Sequence, residues 1–265
     1  MSGGKLRQIP TRAFGAEPGI PDIRELAGWV AERRGMQGDL TTYLLARSLS
    51  PQKETAITAP CAGGKFYRNR LIGCLLGLDA DTVVAEIGVD AEPVIADAIE
   101  TTTALRGASV AMPAPHLLGI TDSYYHDDDE WVHAIAGAYR TLMRSMRDAG
   151  CGGHVLICDH IDEQETEALA GRKVFFFHPA PGREDLEILL EHQRQVAVPR
   201  QDVKTVISLA EEYEISGIVI MDPDDTAIRA ALESLDLSRI TAGGYCTSDC
   251  TAYWQDLKAS AVCRI

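Results

Sequence analysis

Asp222 stands at the head of the run Asp222-Pro223-Asp224-Asp225, directly after the apolar stretch GIVIM. Carboxylates this close in sequence could hold a hard divalent cation through Asp222 and Asp225. Asp222 alone could instead counter positive charge developing at a reacting carbon. Asp224 or Asp225 reads equally well as the cap of a helix beginning near Thr226. Asp159-His160 and His178 follow two other apolar stretches, HVLIC and KVFFF, and these three side chains could form a mixed histidine/carboxylate metal site. Gly243-Gly244, after RITA, would let backbone N–H groups approach a phosphate, or would simply turn the chain. Arg183, Arg200 and Lys204 are the nearest cations for an anionic ligand. Each is a solvated surface charge by default, although Arg200 closes its apolar stretch directly. Cys246 and Cys250, with Cys263 downstream, offer thiols for zinc or a cluster but lack the remaining ligands. No nucleophile–base pair, Walker loop or dinucleotide fingerprint is recognisable.

Asp159, His178, Arg200, Asp222 and Gly243 share a position: each closes or directly follows a short apolar run. Strands are predicted at 154–158, 173–177, 195–198, 217–221 and 239–242. Helices fill three of the gaps, marked by Leu186, Leu189 and Leu190, then Val203, Val206 and Ile207, then Ile228, Ala231 and Leu232. Such alternation indicates a parallel sheet covered by helices, with ligands at the carboxyl ends of the strands. Upstream, Ile23, Leu26, Ala27 and Val30 predict a helix over 22–34, which Gly35 would end. A second helix around Tyr43, Leu44 and Leu45 is announced by Asp39, Thr41 and Thr42. Residues 54–59 alternate as a strand would, and 91–105 read as helix. The apolar runs TVVAEIG and SVAMPAP are not ordered by pattern alone. The acidic residues 127–130 suit the first turn of a long amphipathic helix through Ile135, Tyr139, Leu142 and Met146. Residues 1–20 are rich in Gly and Pro and are expected to lie loosely on the surface.

The chain has 265 residues, 46% of them hydrophobic, enough for a sizeable core. Its net charge of -14 argues against a nucleic-acid partner, which requires a basic stripe, but not against one basic pocket for a small anion. The absence of a long apolar run and of a leader-like start predicts a cytoplasmic protein without a membrane partner. Seven cysteines, an odd number, read as buried thiols and not as a disulfide framework.

Four stretches, in order, resemble the quinolinate phosphoribosyltransferase family. They are a helix leading to Gly38-Asp39-Leu40-Thr41-Thr42 and a strand ending Ala62-Gly63-Gly64; the run from Ala134 to Asp159; the unit from Val196 to Asp222; and Thr241-Ala242-Gly243-Gly244. The resemblance implies a phosphate-binding turn at Gly243-Gly244, an acidic residue at Asp222 and a dimer that completes its sites across subunits; the divalent cation that the Asp222 carboxylates could hold would be Mg2+, as diphosphate chemistry requires. Where the family carries basic anchors, this chain has Asp159-His160-Ile161 and Phe177-His178-Pro179.

The expected fold class is therefore α/β. An N-terminal α/β portion over 1–130 is followed by a barrel-like parallel strand–helix domain over 131–265. Only five strands are visible in the second part, so either the barrel is incomplete or residues 65–130 contribute. The expected function is that of a diverged phosphoribosyltransferase-like protein that acts on or binds a phosphorylated or anionic small molecule as a homo-oligomer. Asp222 and Asp159 would be catalytic, with Gly243, Gly244, Arg200, His178 and Lys204 binding the ligand. One alternative is a metal-assisted lyase, aldolase or hydrolase on a barrel. The other is a non-catalytic ligand-binding or assembly protein.

Overall fold

The computed structural model describes residues 6–33 and 37–264. Its centre is a ring of eight strands: β1 (Thr11–Ala16), β2 (Cys61–Gly63), β3 (Ser109–Pro113), β4 (His154–Ile157), β5 (Val174–Phe177), β6 (Gln195–Pro199), β7 (Gly217–Met221) and β8 (Ile240–Cys246). Parallel ladders join β6-β7-β8-β1 and β2-β3-β4-β5. The two quartets meet where Ala13 donates its N–H to the Ala59 carbonyl and Ala59 donates to Thr11, both at 2.9 Å. Spatial order therefore follows chain order around the ring. The seam with neither ladder nor backbone bridge, among the described residues, lies between β5 and β6. There the Gln193 side-chain amide accepts from the Phe176 N–H at 2.9 Å and donates to the Phe176 carbonyl at 3.2 Å. A side chain thus satisfies strand groups that an open edge would leave bare, and the strands stay parted.

A helix follows each strand. After β1 come α1 (Ile23–Glu32) and α2 (Leu40–Glu54); after β2, α3 (Arg68–Cys74) and α4 (Glu92–Ala104). The remaining strands are followed by α5 (Asp128–Asp148), α6 (Glu163–Leu169), α7 (Arg183–His192), α8 (Val203–Leu209), α9 (Asp225–Leu232) and α10 (Cys250–Ser260). This is the (β/α)8 barrel. Asp39, Asp127, Asp162, Asp224 and Asp249 cap α2, α5, α6, α9 and α10 by accepting backbone N–H groups. Much of the acidic composition thus collects where the helices begin, beside the carboxyl ends of the strands, and it complements the helix dipoles.

The strands read as nearly continuous apolar runs because both of their faces are buried. Phe14, Phe177, Val155, Ile157, Ala111, Ala197 and Val219 pack in one cluster, with the Phe14 and Phe177 rings stacked at 4.4 Å. Leu156, Val196, Val198, Ile218 and Ile220 pack in a second cluster with Leu142, Met143, Leu186 and Leu189 of the helices. Outside the ring, Leu6–Gln8 pairs antiparallel with Val262–Arg264, and Leu75–Asp79, Thr82–Val89 and Thr121–Asp122 form a small separate sheet.

The α/β reading with a parallel barrel holds, and all five predicted strands are present. Three further strands come from the N-terminal half, and the β3–β4 and β8–β1 ladders pair residues from either side of position 130. Residues 11–16 are not loose on the surface: they form a central barrel strand in which Ala13, Phe14 and Ala16 are buried. The strand expected at 54–59 is the end of α2 and a turn, and the strand itself is Cys61–Gly63. Residues 1–5 and the expected helix stop at Gly35 lie outside the described residues. The seven cysteines are all free and buried. Among the described residues, no helix is long and apolar enough to cross a membrane.

Candidate functional site

At the carboxyl ends of β3 and β4 a histidine/carboxylate cluster assembles. The chain leaves β3 through Ala114 into a short 3-10 turn, Pro115–Leu118, which presents His116. It leaves β4 through Cys158 into Asp159 and His160, and α6 brings Glu165 beneath. His116 Nδ1 lies 2.7 Å from Glu165 Oε2. An ionised carboxylate only accepts, so Nδ1 carries the proton, and the neutral ring then keeps a lone pair on Nε2. That Nε2 is buried and lies 3.2 Å from Asp159 Oδ1, yet it has no hydrogen-bond partner. His160 Nδ1 lies 2.8 Å from the same Asp159 oxygen, and the two imidazole rings are 4.2 Å apart. His116, Asp159 and His160 each offer a ligand atom within 4.8 Å of the others. Burial alone would lower the His116 pKa, but the hydrogen bond and charge of Glu165, with Asp159 and Asp162, raise it overall. Burial would raise Asp159, but its bond to His160 and the two imidazoles bring it below the ordinary value.

His178 does not join this cluster as a ligand. Ala180 donates its N–H to His178 Nδ1 at 3.0 Å, so Nε2 carries the proton and donates to the Asp159 carbonyl at 2.6 Å. Both nitrogens are spent in tying the β5 loop to the β4 loop. Of the expected trio, Asp159 and His160 come together, and His116 stands beside them in place of His178. Pattern alone does not reach His116, because SVAMPAP does not declare itself a barrel strand; as β3, its end leads directly to Ala114-Pro115-His116.

A second group sits at the ends of β6, β7 and β8. Asp222 adopts φ 44°, the left-handed region that a non-glycine residue rarely occupies. Its Oδ1 accepts from the Tyr253 hydroxyl at 2.6 Å. Burial raises the Asp222 carboxyl above its usual range, against the lowering effects of Tyr253 and Arg200. Arg200 lies 3.7 Å from Asp224, which caps α9, and Asp225 pairs with Arg229 at 2.8 Å. Asp222, Asp224 and Asp225 are thus each engaged with different partners, and none belongs to the three-residue cluster at β3 and β4. Lys204 is exposed on the first turn of α8.

Gly243 and Gly244 are not in a turn after a strand. They lie inside β8, where Gly243 is paired with both Met221 and Arg12. A Cβ on Gly243 would stand 2.5 Å from Val219, and one on Gly244 2.7 Å from the Tyr253 hydroxyl. Close packing accounts for the pair. Cys246 and Cys250 lie thiol to thiol at 2.9 Å, whereas Cys263 sits in the terminal ribbon opposite Arg7.

No family model matches this chain, and no curated protein matches it in sequence. Solved structures do match. One is a B12-independent methionine synthase from Shewanella sp. W3-18-1 in complex with selenomethionine, with a TM-score of 0.66 at 14% identity, covering 96% of this chain and 96% of that one. Another is a putative vitamin-B12 independent methionine synthase from Listeria monocytogenes, with a TM-score of 0.55 at 16% identity, covering 96% of this chain and 97% of that one. At these identities the likeness is one of fold. It overturns the resemblance to quinolinate phosphoribosyltransferases and the phosphoribosyltransferase function inferred from it: the whole-chain match is to barrels of another kind. The strand–helix units that suggested the resemblance belong to any barrel.

Proposed function

We propose that this chain is a barrel enzyme that works on a small molecule with a divalent metal held by His116, Asp159 and His160. The reaction class is that of a metal-assisted lyase, aldolase or hydrolase. One observation carries the reading: His116 donates its Nδ1–H to the buried Glu165 carboxylate and leaves Nε2 unpartnered beside Asp159. Ligating histidines are held in this way, with a carboxylate behind the ring fixing the tautomer and raising ligand basicity. Two imidazoles and one carboxylate suit a first-row transition metal better than Mg2+, which prefers oxygen ligands and retained water. With three protein ligands at an open mouth, the metal would supply Lewis acidity to a substrate oxygen or to water.

The other residues have roles that follow from their contacts. Glu165 orients His116, and His178 fixes the backbone at Asp159 and so the direction of its carboxylate. Asp222, strained and above its ordinary pKa, is the candidate proton carrier, and Tyr253 holds its carboxylate in place.

Metal analysis of the purified chain tests this directly. After chelation and reloading with zinc, manganese or magnesium, a single equivalent of a transition metal is expected to be retained. His116→Ala should abolish retention, and Glu165→Gln should weaken affinity by about 10- to 100-fold. His178→Ala should still bind. Equal retention by wild type and His116→Ala would end the proposal.

A further inference from the structure

The opposite end of the barrel carries an unassigned cavity of ≈ 760 Å³ that opens at the parted seam between β5 and β6. Its size falls within the usual range for small-molecule sites. Its wall contains Arg12, Arg172, Lys173 and Arg194, with His154 and His192, and not one of the chain's 39 acidic residues. For a protein of net charge -14, that lining is a strong local inversion. Arg172 and Lys173 follow the end of α6 and Arg194 the end of α7, where cations offset the helix dipole in any case. Arg194 is also paired with Glu214 at 3.1 Å.

Arg12 has no such explanation. It lies on β1, with its guanidinium 4.1 Å from the Phe175 ring centre and 5.2 Å from that of Phe14. Its one side-chain hydrogen bond runs from Nη1 to Gln195 Oε1 at 2.8 Å, and among the described residues no carboxylate pairs with it. Arginine has five N–H donors, so most of this fork is uncommitted at the cavity wall. A half-buried guanidinium without a counter-ion is costly, and burial holds Arg12 below its ordinary pKa. On the same wall, His154 is 2% exposed and neither of its ring nitrogens has a partner.

We infer that this cavity is a second ligand site, separate from the metal cluster, that takes a small oxyanion on the Arg12 guanidinium with Arg172 and Lys173 at its rim. The bidentate fork suits a phosphate or a carboxylate equally, and the Phe175 ring beneath it holds it in place.

The test is calorimetric titration of the chelator-treated full chain with sodium pyrophosphate and, separately, sodium citrate, against sodium chloride at matched ionic strength. Saturable binding of either probe is expected: pyrophosphate alone would identify a phosphate ligand, and citrate alone a carboxylate one. Arg12→Met should weaken binding at least tenfold without lowering the melting temperature of the ligand-free chain. The exposed double variant Arg172→Ala/Lys173→Ala should weaken binding severalfold while folding normally, and His116→Ala should bind as wild type does. No saturable binding of either probe, wild-type affinity in both cavity variants, or loss of binding in His116→Ala would each overturn the proposal.

Discussion

His116 and Asp97 show how differently one buried polar residue can be used. His116 keeps an unpartnered nitrogen in a cluster of potential ligands, whereas Asp97 is spent on structure. Asp97 is 1% exposed and accepts from the Tyr67 hydroxyl at 2.9 Å and from Arg70 Nε at 2.7 Å, while Arg70 also reaches Asp39 at 2.8 Å. Burial, against the pull of Arg70 and Tyr67, pushes the Asp97 carboxyl up to about 6. An unfolded aspartate titrates at about 3.9. Between those values the folded chain binds a proton that the unfolded chain releases, so this group's contribution makes stability fall as pH rises from about 4 to about 6. Asp97→Asn should flatten that fall. Urea midpoints for both proteins at pH 4, 5, 6 and 7 would show it, and parallel curves would refute the assignment.

At the scale of elements, β8 illustrates a strand whose composition answers to its neighbours. Gly243 is matched by Phe14 and Met221 crowding toward it, and Gly244 by Tyr253, Trp254 and Leu257 of α10. Gly243→Ala should therefore destabilise the fold by about 1–3 kcal/mol through overpacking. Chemical denaturation reads that directly, and an unchanged midpoint would mean that the barrel interior has slack at this level. The same logic explains why a glycine pair at the end of an apolar run also suits a phosphate turn or a plain one. Both uses need the missing Cβ, and only the surrounding atoms show which one applies.

For the whole molecule, β1 is the decisive element, because it pairs with β8 through a ladder and with β2 through the Ala59 bridge. The residues up to 130 and those after it therefore complete one ring. Expressed alone, residues 131–265 would expose the β4 edge that pairs with β3 and the β8 edge that pairs with β1. Such a fragment is expected to aggregate or to lack a cooperative thermal transition. A sharp transition by circular dichroism would establish an independent domain there. The ring also separates two chemistries: Asp caps and the histidine cluster gather where the helices begin, and uncompensated arginine lies at the seam on the other end.

By itself the sequence determined the local rhythm. Continuous apolar runs of strand length, alternating with helical periodicity, specify strands buried on both faces and the helices that cover them. That is enough to place Asp159, His160, His178 and Asp222 at strand ends. It could not close the ring, because β1 to β3 are short or embedded among Gly, Pro and extra elements, and β1 pairs with a strand more than 200 residues away in sequence. Nor could it assign partners. His116 and Asp159 are neighbours only because β3 lies beside β4, and His178 is excluded as a ligand only by the hydrogen bonds it makes. Arg12, one cation in a stretch that reads as surface, is left without a counter-ion by tertiary packing alone. Side-chain chemistry is written in the chain, but which lone pair or charge remains unspent is settled only when long-range contacts have used the rest.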